Sequence, residues 1–154
     1  MTSRRANKDS SMAIAIVVAI VLIASALLIL RPNPEEVVAV SQDHVLRVEG
    51  VTRSSSLVLI ERLDGVETSI PNLVSPVYEV SLTDSGTLQE SVFTFSFPAL
   101  SSDLLIQDVA VYQFSRETLS WEVVPTFFDL DTQTLTSAVE FSGSVLVGLG
   151  TRVL

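Results

Sequence analysis

Apolar and polar residues alternate with a period of two through most of the chain beyond residue 36, the signature of strands with one buried face. Tyr78, Val80 and Leu82 fall on one side, with Glu79 and Ser81 on the other. Phe93, Phe95 and Phe97 alternate with Thr94 and Ser96, and Ala110, Tyr112 and Phe114 with Val111 and Gln113. Leu119, Trp121 and Val123 alternate with Ser120 and Glu122. Leu135, Val139 and Phe141 share a face, and Val145, Val147 and Leu149 close the series. Slipping any run by one residue would turn its apolar side outward, so the register is strongly specified.

Turn signals separate the runs. Asp64-Gly65 suits a two-residue hairpin and Thr83-Asp84-Ser85-Gly86 a further turn, while Ser115–Thr118 and Asp131-Thr132-Gln133 close two more hairpins. No helical period extends over ten residues after Arg31. The expectation is an all-β domain, an antiparallel immunoglobulin-like β-sandwich of roughly seven to ten strands. Trp121 is expected between its sheets. Phe93, Phe95 and Phe97 are expected in the core, where large aromatics usually sit, rather than forming a binding stripe.

One segment obeys neither period. Met12–Leu30 reads MAIAIVVAIVLIASALLIL, nineteen residues without a charge. As a helix rising ~1.5 Å per residue it would span roughly 28 Å, close to the apolar thickness of a bilayer. Arg31 and Pro32 follow and would end it. Arg4, Arg5 and Lys8 precede it, which by the positive-inside rule sets that end in the cytoplasm. A cleaved signal peptide is the main alternative, with Ala24-Ser25-Ala26 as the cut site; Leu27–Leu30 continue apolar where a polar region would be expected. A pilin-like segment is disfavoured because no glutamate lies early in the run. Ala15 and Ala19 form a small-xxx-small pair that reads more simply as lipid-facing filler. The organisation expected is a basic cytoplasmic tail (1–11), a transmembrane helix (12–30), a proline-bearing linker (31–36) and an extracytoplasmic domain (37–154).

Charge sharpens this division. The net charge is −9, with +2 before the apolar run and −11 from Arg31 onward, where six arginines face seventeen carboxylates. An acidic domain is repelled by nucleic acid and anionic headgroups, so nucleic-acid binding is not expected. There is no cysteine, which excludes disulfides, thiolate metal sites and cysteine nucleophiles. Roughly 115 residues beyond the linker suffice for one core without such staples.

Two adjoining segments, Ser75–Pro98 (SPVYEVSLTDSGTLQESVFTFSFP) and Asp108–Leu149, carry a likeness. A "pvyel"-like strand and turn, a strand ending in proline, a Tyr strand, an acidic hairpin, a Trp strand and a last strand pair follow in that order. The pattern resembles the β-sandwich domain of ankyrins, netrin receptors and tight-junction scaffolds, and its relatives in bacterial and archaeal surface proteins. Some relatives cleave themselves at a His-Phe-Ser step. Here the matching residues are Glu140-Phe141-Ser142-Gly143, with glutamate in the histidine position. A glutamate of ordinary pKa is a poor base for a serine hydroxyl, so the resemblance implies a structural or interaction module instead.

Catalytic chemistry has few other carriers. His44, the single histidine, follows Ser41-Gln42-Asp43 at the start of a strand, with no nucleophile motif nearby. It reads as a surface residue, and its solitude excludes a histidine-rich zinc site. Asp129, Asp131 and Asp84 are the remaining thought for calcium, but no D-x-D-x-D-G loop exists and such residues ordinarily cap turns. A carboxylate-only enzyme would have to draw on Asp129, Asp131, Glu122 or Glu140, none paired in an apolar setting. Neither a phosphate-binding glycine loop nor an N-glycosylation sequon occurs. No catalytic residue, cofactor or metal is expected. The function expected is a membrane-anchored binding or structural module, with an accessory subunit working through Met12–Leu30 as the alternative.

Overall fold

A computed structural model describes residues 33–53, 55–84, 86–96 and 104–152. The tail, the apolar run, Phe97 and Ser85 lie outside them. Among the described residues no helix is long and apolar enough to cross a membrane. The unit described here runs from Pro34 to Leu154.

Eleven strands make up the described residues: β1 (Glu35–Val40), β2 (Leu46–Thr52), β3 (Val58–Leu63), β4 (Val77–Leu82), β5 (Thr87–Ser96), β6 (Val109–Ser115), β7 (Ser120–Val123), β8 (Thr126–Asp129), β9 (Thr134–Ala138), β10 (Phe141–Ser142) and β11 (Ser144–Thr151). The only helical element among them is a three-residue 3-10 turn, Ile106–Asp108. Sheet I has the order β1-β2-β5-β9-β8, with short β10 also on β5; sheet II has the order β3-β4-β11-β6-β7. Every pairing is antiparallel.

Alternation decides which side chains meet. Leu46, Val48, Phe93, Phe95 and Leu135 of sheet I pack with Tyr78, Val80, Val111, Val147 and Leu149 of sheet II in one buried cluster. Phe93 meets Phe141 edge-on, with centroids 6.0 Å apart. The expected inward faces of β4, β5, β9 and β11 are therefore buried, apart from Phe97, which is not described. A bulge in the β2–β5 ladder comes where β9 hands over to β10 as the neighbour of β5. Ser91 is buried there and donates its hydroxyl to the Val139 carbonyl, so the irregularity leaves that polar side chain paired.

Four expectations need correction. Asp64-Gly65 is not a two-residue hairpin: β3 and β4 do pair, from Leu63↔Val77, but across a long connection, 64–76. Trp121 is not between the sheets. It lies opposite Phe114 on the outer face of sheet II, with Ile70, Ala110 and Tyr112. Ala110 and Tyr112 are buried on that outer face while Val109 and Val111 face the core, so β6 is covered on both sides. Finally, β1 begins at Glu35, inside the expected linker.

The cause of the second buried face is the 64–76 connection. It runs beside the end of β11, where the Val74 N–H donates to the Leu149 carbonyl (2.8 Å) and the Thr151 N–H to the Pro71 carbonyl (2.9 Å). Ser75 Oγ accepts the Leu149 N–H at 3.0 Å. Ile70 then folds over β11. A Cβ on Gly150 would overlap Ile70 Cγ2 and lie 2.6 Å from the Pro71 carbonyl oxygen. Glycine is required there for close approach, a need that the alternation pattern does not reveal.

Candidate functional site

Two polar groupings stand out. The first is built on the β1–β2 turn, whose residues Ser41 to Val45 carry too much polarity to continue a strand. The Ser41 N–H donates to the Leu46 carbonyl (2.7 Å), and Ser41 Oγ accepts the Leu46 N–H (2.9 Å). The hydroxyl itself donates to Asp43 Oδ1 at 2.6 Å, and the Val45 N–H reaches the same oxygen at 3.2 Å. The other carboxylate oxygen accepts the Tyr78 hydroxyl at 2.7 Å, with Arg62 Nη1 at 3.5 Å. Arg62 Nε also donates to Asp64 Oδ1 at 2.8 Å.

The electrostatics follow from these contacts. Burial pushes the Asp43 carboxyl up, but the hydrogen bonds from Ser41, Tyr78 and Val45 and the Arg62 charge outweigh it and hold the group below its ordinary value. Burial, then the hydrogen bond to Asp43 and its negative charge, push the Tyr78 phenol well above its ordinary value. Tyr78 is fully buried, with its ring 6.2 Å from Phe95. Asp43 thus fastens a turn of sheet I to β3 and β4 of sheet II. An open hollow of ≈ 730 Å³ beside it is lined by Gln42, Asp43, Ile60, Glu61, Arg62 and Asp64. His44 is exposed in the same turn at φ 59°. Ser41 gives its proton to Asp43 and not to the imidazole, so the Ser-Asp-His neighbourhood in sequence makes no triad.

The second grouping is a groove of ≈ 360 Å³ between the β6–β7 turn and β10. It brings Glu122, with Arg116 and Glu117, together with Glu140 and Ser142 from a later stretch of the chain. Arg116 Nη2 donates to Ser144 Oγ at 2.5 Å, and Thr118 Oγ1 donates to Glu122 Oε1 at 2.6 Å. Phe141 is buried and Ser142 exposed, and both sit in a regular ladder opposite Leu88 and Thr87. The bend follows at Gly143, φ 73°. Asp129 and Asp131 are not part of this groove. They lie at the β8–β9 turn, where Asp129 Oδ1 accepts the N–H groups of Asp131 (2.9 Å) and Thr132 (3.3 Å). Those bonds hold the Asp129 carboxyl below its ordinary value. Asp84 does similar work for the Gly86 N–H at 2.8 Å and also accepts the Ser56 hydroxyl. Among the described residues no group of three or more His, Asp or Glu side chains is placed to hold a metal ion.

No family model, no curated protein and no solved structure matches this chain. The Asp43–Tyr78 tether was beyond sequence reasoning, since the partners are 35 positions apart. The Ser41-x-Asp43 spacing before a strand was its one local signal.

Proposed function

We propose that this chain is a single-pass membrane protein displaying its β domain outside the cytoplasm as a binding or structural module. The observation that carries the reading is Met12–Leu30, nineteen uncharged residues with Arg4, Arg5 and Lys8 before them and Arg31-Pro32 after. The two-sheet domain supports it by contributing folded surface and many loops. We read those sheets as the immunoglobulin-like sandwich of the ankyrin and netrin-receptor kind that the sequence resembles. The groove at Ser142 and the hollow at Asp43 are open and polar, unlike the enclosed, mainly apolar pockets that hold small substrates.

The test is extraction of membranes with alkaline carbonate. The full chain should stay in the pellet. Val21→Arg with Leu22→Arg should release it, since each charge at the centre of a span costs roughly 2.5–3.5 kcal/mol. Release of the unaltered chain by carbonate would overturn the reading.

A further inference from the structure

The two sheets have four edge strands: β1 and β8 on sheet I, β3 and β7 on sheet II. An open edge offers unpaired N–H and C=O groups to any extended chain, and proteins usually blunt it with charge, proline or a bulge. All four edges carry charge within the strand: Glu35-Glu36 on β1, Glu61-Arg62 on β3, Glu122 on β7 and Asp129 at the end of β8. What sets β8 apart from the other edges is two adjacent phenylalanines ahead of its charge. Phe127 is 71% exposed and Phe128 44%, and Leu130 just beyond is 67% exposed. Phe127 pairs with Thr136, while Phe128 pairs with Leu135, a core residue. Phe128 therefore points towards the inter-sheet side and is still half open to water. Such a strip is more than the scattered surface leucine that needs no explanation.

The surroundings select the kind of partner. Arg152 Nη2 lies 3.4 Å from the Thr126 carbonyl, so the stretch open for pairing begins at Phe127. The charges of the strip and the turn after it are Asp129 and Asp131. The cation beside the strip, Arg152, is engaged on the Thr126 carbonyl. Docking β8 of a second copy here would crowd the carboxylates of two chains that are each acidic.

We infer that β8 docks an extended basic segment of another protein. Its backbone pairs along Phe127–Leu130, its apolar side chains cover Phe127 and Phe128, and its Lys or Arg residues meet Asp129 and Asp131. The inference gives partner chemistry to the binding-module reading above, and membrane insertion is not needed for it to hold.

The probe is a fluorescein-labelled octapeptide of alternating valine and lysine, titrated by anisotropy into the full chain in non-ionic micelles. Binding in the micromolar range is expected, with at least a tenfold loss in Phe127→Ser. Asp131→Asn should weaken it several-fold, and a valine–glutamate octapeptide should not bind. Phe127→Ser leaves the net charge unchanged, so undiminished binding by that variant would mean diffuse attraction to an acidic protein and would overturn the inference. No binding at millimolar peptide would overturn it as well. Sedimentation showing a parent dimer that Phe127→Ser dissociates would overturn it in favour of a second copy. Unchanged Trp121 emission checks that each variant is folded.

Discussion

The strap over sheet II makes Gly150 the most exacting position outside the main core. In Gly150→Ala the new methyl overlaps Ile70 Cγ2, which is attached directly to a backbone-anchored Cβ, and presses on the Pro71 carbonyl oxygen at 2.6 Å. Neither neighbour is a flexible tip, so the strap itself must lift. Overpacking of this kind costs about 1–3 kcal/mol. Lifting also threatens the Thr151 N–H to Pro71 bond, worth about 1 kcal/mol net, and part of the burial of Ile70, which is 6% exposed. A destabilisation of about 2–4 kcal/mol is expected, roughly a 10 °C fall in Tm for a domain of this size. Gly148→Ala is the control. Its methyl is tight only against the flexible end of Ile70, Cδ1 at 3.1 Å, with Leu73 Cδ1 and Val77 Cγ2 in ordinary contact at 3.6 Å, and should cost less than about 1 kcal/mol. Urea unfolding followed by Trp121 emission measures both, because Trp121 packs on the same outer cluster. Ile70→Ala in the Gly150→Ala background should cost less than the two single losses added, since one overlap is then gone. Gly150→Ala within 0.5 kcal/mol of the parent, with unaltered emission, would refute the close packing of the strap.

Further outcomes concern the tether and the core. Tyr78→Phe removes a hydrogen bond to a carboxylate and should cost about 1.5–3 kcal/mol in the same assay. Asp43 titrates below its ordinary 3.8 in the fold, so its contribution is present above that pH and is lost as pH falls through the folded value. Tyr78 titrates above its ordinary 10.0, so its contribution is present below pH 10.0 and fades as pH rises beyond it. A stability profile should decline at both ends, by at most about 1.4 kcal/mol per pH unit for each group, and Tyr78→Phe should lack the tyrosine part of the alkaline decline. Phe93→Ala, at 0% exposure, should cost about 3–5 kcal/mol, whereas Phe127→Ser should stay within about 0.5 kcal/mol in thermal unfolding.

The strands that cover the core on one face only were legible in the sequence. β5 and β9 alternate cleanly, because each inward residue meets the opposite sheet and most outward ones face water; the inward faces of β4 and β11 read the same way, although Val77, Gly148 and Gly150 are buried on their outer side. β6 misled for a physical reason. Its outward residues, Ala110 and Tyr112, are covered by Ile70 from a connection about 40 positions away, so apolar residues stand on both of its faces. Trp121 went with it, since a large ring opposite Phe114 reads as core until the strap is known. Asp64-Gly65 has the composition of a tight turn, yet turn residues open long connections as well as short ones. The turns at 116–119 and 130–133 were readable because their strands are immediate neighbours. Of the polar groupings, Asp129 as a turn cap was a local matter and could be anticipated. The meeting of Asp43 with Tyr78, or of Glu122 with Glu140, depends on sheet order, which alternation alone does not specify.

Topology and processing, read together, test the central proposal most directly. The chain would carry a different tag at each end, and intact cells would be treated with protease before fractionation. One full-length membrane band bearing both tags, with only the C-terminal tag lost to protease, is the result expected for an anchored outer domain. A shortened C-terminal fragment free in the medium would contradict the anchor. A cut near Ala26 would make this a secreted domain, and a cut at Phe141–Ser142 would mean that the serine finds a base other than histidine.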